Sequence, residues 1–196
     1  MNSPPYDPRV VDPMVLPDDL PVPEDDGACD HLPGAEVPSV ELRATDGEVY
    51  DLASLPGRSV VYAYPWTGRP GEPLLSDGWD LIPGARGCTP ETCGFRDHYA
   101  ELEALGARVF GLSTQDSVYQ RELAERLALP FAILSDSDQE LTRTLTLPAF
   151  EVAGQTLVRR HTLVISDGSI EHVFYPVFPP DLHAGEVVQW LEERSG

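Results

Sequence analysis

The chain has 196 residues, enough for one domain with a proper core plus an extension. Its 33 acidic residues against 13 basic ones leave a formal net charge of −20, which disfavours nucleic acid or an anionic membrane as partner. No apolar stretch approaches a membrane span and no basic segment with an apolar run opens the chain, so neither a span nor a signal peptide is expected.

Residues 1–34 are rich in Pro and Asp. Prolines at 4, 5, 8, 13, 17, 21 and 23 forbid a helix there and favour an extended arm. Val10, Val11, Met14, Val15 and Leu16 give that arm apolar groups with which to pack on the body or on a second subunit; a disordered tail is the alternative. Cys29, near its end, reads as an incidental thiol.

Residues 37–55 read as two short strands around Asp46-Gly47. The run 59–64, SVVYAY, is a buried central strand that Pro65 ends. Residues 66–86 follow, dense in Gly and Pro and carrying Trp66 and Trp79. A loop of that length with no helical period is functional or disordered, and two tryptophans argue for packing.

Residues 87–97 read GCTPETCGFRD. Thr89 suits an N-cap, Pro90 a first helical position, and Glu91 the positive end of the helix dipole. Phe95, Tyr99 and Leu102 recur at helical spacing, so the helix is expected to run to about Leu105 and stop at Gly106. Cys88 then sits at a helix N-terminus, where unsatisfied N–H groups favour a thiolate. On a regular helix the Cα atoms of Cys88 and Cys93 would stand about 8 Å apart, beyond the usual disulfide limit. A Cys88–Cys93 disulfide would therefore require the first turn to open.

A strand is expected at 108–113, a helix at 117–128, a strand at 131–134 and a short helix at 138–145. A hairpin at 162–165 and 170–174 turns at Asp167-Gly168, and a last helix spans 184–194. Strands alternating with helices before a closing hairpin define an α/β sheet with helices on both faces, in the order of a thioredoxin-like fold. The five histidines, 31, 98, 161, 172 and 183, have no metal-ligand spacing, and no phosphate or dinucleotide fingerprint is present. Neither metal nor cofactor is expected. Cysteine usage points to thiol chemistry in a reducing, cytoplasmic compartment.

The segment GCTPETCGFRDHYAEL, with VYAYP before it and GLSTQD, LPFAILSD and RHTLVISDGSIEHVF after it, resembles the peroxiredoxins of the bacterioferritin-comigratory or Q type. The resemblance covers most of residues 37–193. It implies a thioredoxin-like fold over residues 35–196 and a thiol peroxidase in which Cys88 is the peroxidatic residue and Cys93 the resolving one. It implies that Arg160 holds thiolate and peroxide, with Arg159 the alternative if the register slips; Arg86 is a second candidate for lowering the Cys88 pKa. A thioredoxin- or glutaredoxin-like dithiol protein would be the reductant, and the protein a monomer or homodimer. Two departures stand out. The family has a Thr or Ser three residues before the cysteine, where this chain has Ala85. And 66–86 is inserted into what is elsewhere a short loop. Leu74, Leu75, Trp79, Leu81 and Ile82 are expected to bury at the mouth of the Cys88 pocket, and Thr67, Ser76 or Thr89 could supply the missing hydroxyl. These departures motivate an alternative: a tailoring enzyme, isomerase or transferase in type, using Cys88 on a small organic substrate.

Overall fold

The computed structural model describes residues 11–194. A seven-stranded sheet forms the centre, in the order β2-β1-β5-β4-β3-β8-β9, where β1 is Leu42–Ala44, β2 Val49–Tyr50, β3 Arg58–Ala63, β4 Ala107–Ser113, β5 Ile133–Ser135, β8 His161–Ser166 and β9 Ser169–Phe174. β3, β4 and β5 run parallel, while β8 lies antiparallel to β3 and β9 to β8. β3 is buried on both faces, as its unbroken apolar run requires. Val60, Tyr62 and Tyr64 face one layer, with Phe95, Leu102, Leu123 and Val187; Val61 and Ala63 face the other, with Leu32, Leu141 and Leu163.

The helices are α1 (Cys88–Asp97), α2 (Tyr99–Ala104), α3 (Ser117–Arg126), α4 (Glu140–Thr144) and α5 (His183–Glu192). The single helix expected from 88 to about 105 is divided. His98 leaves helical geometry between α1 and α2, at φ −92° and ψ 6°. Gly106 ends α2 with φ +78°, the stop the sequence implies. A second hairpin, β6 (Ala149–Val152) with β7 (Gln155–Val158), stands outside the main sheet and was not foreseen.

The arm lies on the body from residue 11 onward; the part before it is outside the described residues. Cys29 and Leu32 are core residues, so the body begins before residue 35. Burial pushes the Cys29 thiol up to about 12, with Asp26, Asp25 and Asp30 adding to it, which favours the protonated form.

Candidate active site

Cys88 is the first residue of α1, and Gly87, not Thr89, is the N-cap. The chain must turn sharply into the helix, and Gly87 does so at φ +101°, a backbone region that side chains disfavour. Pro90 falls in the first turn, where its missing N–H again costs nothing. Cys88 is 4% exposed and Cys93 is 7% exposed. All three cysteines carry free thiols.

Arg160 opens the turn into β8 and points at the sulfur. Its Nη2 donates to Cys88 Sγ at 3.1 Å and to the carbonyl of Arg86 at 3.1 Å, and its Nε donates to the carbonyl of Gly84 at 3.2 Å. Its Nη1 donates to Glu91, one turn along α1 from Cys88 and fully buried. The helix therefore presents a thiol and a carboxylate on one face to a single guanidinium. Of the two arginines, Arg160 is the one in contact with the sulfur; Arg159 turns outward to Asp26 at 3.0 Å. Arg86 does not serve the sulfur. It donates to the carbonyls of Asp12 at 2.9 Å and Val15 at 3.0 Å and faces Asp80 at 3.5 Å.

Burial pushes the Cys88 thiol above its ordinary value, the Arg160 guanidinium pulls it down, the Glu91 carboxylate pushes it up, and the backbone N–H of Trp66 pulls it down. Burial wins in this closed state, against the thiolate expected from helix position alone. Cys93 is likewise pushed up by burial, with Arg96 opposing.

The cavity at Cys88 measures about 30 Å³ and is framed by Trp66, Thr67 and Gly68, by Arg86 and Thr89, and by Val11 and Pro13 of the arm. The inserted loop reaches the pocket with its first residues and again with Glu72, Pro73, Leu74 and Trp79. Of the five apolar groups expected at the mouth, Leu74 and Trp79 line the pocket, and Leu75, Leu81 and Ile82 do not. Trp79 is 2% exposed, packs edge-on against Trp66 at 5.7 Å and lies 6.4 Å from Phe150 of β6. Leu74, Leu75 and Ile82 join that cluster over the β6–β7 hairpin, and Leu81 is exposed. A larger cavity, about 400 Å³, adjoins Arg160 but not Cys88.

The arm also covers the second thiol: Cys93 Sγ lies 3.9 Å from Met14 Sδ. Two hydrogen bonds from the buried Arg86 hold this part of the arm in place. Arg86→Gln weakens both, and we expect Cys93 to alkylate roughly tenfold faster in that variant as the strap opens more often. Quantitative mass spectrometry after a timed iodoacetamide pulse reads this; an unchanged Cys93 rate would show that the arm does not shield it.

A fold of the thioredoxin-like kind that holds a buried thiol on a guanidinium at a helix start has clear relatives. The Redoxin family model matches residues 32–189. The chain is 32% identical over 161 residues to the chloroplastic peroxiredoxin Q of Oryza sativa subsp. japonica, covering 81% of this chain and 66% of that protein. It therefore spans a little under two thirds of that relative's length. It is 32% identical over 167 residues to peroxiredoxin Bcp of Escherichia coli (strain K12), covering 83% of this chain and 96% of that one. Among solved structures, peroxidoxin BcpB of Mycobacterium tuberculosis superposes with a TM-score of 0.66 at 26% identity, covering 83% of this chain and 98% of that one. The chain belongs to the Redoxin family, among the peroxiredoxins of the Q and Bcp type.

Proposed function

We propose that the protein is a thiol-dependent peroxidase in which Cys88 is oxidised and Cys93 resolves it. The observation that carries this reading is the 3.1 Å contact from Arg160 to the Cys88 sulfur at the start of α1. The guanidinium stabilises the thiolate and then the charge that develops on the departing oxygen. The Cys88 thiolate attacks one peroxide oxygen. The O–O bond breaks, and the other oxygen leaves as hydroxide or alkoxide and takes a proton. Cys88 becomes a sulfenic acid.

Cys93 then attacks that sulfur, the S–S bond forms, the S–O bond breaks and water leaves. Both thiols are buried in one regular helix, so this step needs the start of α1 to open. A thioredoxin- or glutaredoxin-like dithiol returns the enzyme to its starting state by exchange. The sulfur atoms carry the whole redox change, in a reducing cytoplasmic setting. No contact in the site favours the alternative of a tailoring enzyme.

Purified protein, hydrogen peroxide, thioredoxin and its reductase test the reading. We expect steady peroxide consumption and, without reductant, an intramolecular Cys88–Cys93 disulfide by peptide mapping. A Cys29-linked product would remove Cys93 from the resolving role; no consumption of hydrogen or organic peroxides would remove the peroxidase reading.

A further inference from the structure

Residues 11–16 lie before the stretch that the Redoxin family model matches. Asp12 and Pro13 bend them into a turn, with Asp at the first position and Pro at the second, where each is favoured. The Asp12 carbonyl accepts from the Val15 N–H at 3.2 Å, and Asp12 Oδ1 accepts from the Met14 N–H at 2.9 Å. Asp12, Met14 and Val15 are left exposed, while Val11, Pro13 and Leu16 are half-buried. Val11 and Pro13 line the Cys88 cavity. The buried Arg86 reaches out from the body and donates to the carbonyls at both ends of the turn, Asp12 at 2.9 Å and Val15 at 3.0 Å.

The inserted loop supplies another wall of the cavity, with Trp66 and Thr67. That wall is fixed. Gln115, buried just after β4, clamps Thr67: its Oε1 accepts from the Thr67 backbone N–H at 2.9 Å, and its Nε2 donates to the Thr67 carbonyl at 3.0 Å. The Gln115 carbonyl accepts in turn from Gln120 Nε2 at 2.6 Å and Ser135 Oγ at 2.8 Å. Moving the loop would leave these buried groups unpaired, which is costly. The carbonyls of a turn at the surface find water when they part from Arg86, which costs much less. The arm is therefore the wall that yields. With the arm in place the space beside Cys88 is about 30 Å³. A water needs roughly 10–15 Å³ on that scale, so the space suits the two oxygens of a peroxide and not a carbon skeleton beside them.

We propose that the turn at 12–15, latched by Arg86, sets substrate size at the peroxidase site. Closed, it admits hydrogen peroxide; a branched or aromatic hydroperoxide reacts only when the turn lifts. This rests on the thiol-peroxidase reading. Val11 and Pro13 are the specificity-determining residues, and Arg86 acts through them. The arm governs which peroxide enters and leaves the sulfur chemistry as it is.

The test follows single-turnover oxidation of Cys88 by tryptophan fluorescence, with hydrogen peroxide and with cumene hydroperoxide, in the full-length chain. Wild type should react with hydrogen peroxide at least about tenfold faster than with cumene hydroperoxide. Val11→Ala/Pro13→Ala thins the wall and keeps the latch. It should raise the cumene hydroperoxide rate about tenfold and move the hydrogen peroxide rate by less than about threefold. Arg86→Gln should shift the ratio in the same direction by freeing the turn; if that variant does not fold, the Val11/Pro13 variant decides alone. Val15→Ala, whose side chain is exposed, should keep the wild-type ratio. A wild-type ratio in Val11→Ala/Pro13→Ala overturns the proposal, and so does an equal shift in Val15→Ala. A wild type that reacts equally fast with both peroxides keeps the peroxidase reading and loses the proposal. If no peroxide oxidises wild-type Cys88, the peroxidase reading itself falls and takes the proposal with it.

Discussion

Arg160→Ala should slow oxidation of Cys88 by hydrogen peroxide by about 10²- to 10³-fold, the usual effect of losing a donor aimed at developing charge. The same change should lower stability by about 3–5 kcal/mol, because it strands the Glu91 carboxylate in the interior. The sequence alone suggests a variant that loses rate and keeps its fold. The ion pair with Glu91 and the carbonyls of Gly84 and Arg86 show why both must suffer. The two effects separate in Arg160→Ala/Glu91→Gln. Removing the stranded charge should restore much of the melting temperature and none of the rate. The pH dependence has a definite sign. Burial is the main force raising the Cys88 thiol and Arg160 the main force lowering it. Without the guanidinium the thiol rises further, so the rate-against-pH curve moves to higher pH. Recovery of the rate in the double variant would refute a catalytic part for Arg160.

Most of the sheet was legible because its strands are short apolar runs bounded by Gly, Pro or Asp. β3 and β4 match their expected spans to within a residue. The β6–β7 hairpin was missed: AFEV and QTLV are too short and too mixed to show a strand period, and they gain their order from Trp79, which is distant in sequence. The site shows the same contrast. Cys88, Cys93 and Arg160 were marked by local motifs. Glu91 was visible as a first-turn acid but read only as dipole compensation; its spacing from Cys88, nearly one turn, was the signal that both face the same partner. Gln115 gave no signal, because a clamp between residues 48 apart is a product of the fold. The thiol's acidity was misjudged for a related reason. Helix position is readable in sequence, but the depth of burial that opposes it is not.

Gly87→Ala should be the most damaging single methyl that can be added near the site. Gly87 sits at φ +101°, so any side chain there is strained by about 1–2 kcal/mol. The space is also taken. A Cβ would fall 2.3 Å from Pro180 Cγ and 3.0 Å from Leu16 Cδ2. Pro180 is a rigid ring just before α5, and Leu16 belongs to the strap that Arg86 holds. Overpacking of this kind costs about another 1–3 kcal/mol. A total near 3 kcal/mol corresponds to a fall in melting temperature of roughly 6–12 °C for a chain of this size. The functional consequence follows from where the strain is released. The strap lifts, or the first turn of α1 shifts, and either movement disturbs the Arg160–Cys88 contact. Alkylation of Cys93, which the strap covers, should then quicken, because access improves. Oxidation of Cys88 by peroxide should slow, because it depends on donors held in place and not on access alone. The opposite movement of these two rates is the signature to look for. Wild-type melting together with wild-type rates in both assays would mean that the start of α1 is looser than its packing indicates, and that neither the strap nor Pro180 constrains the thiol.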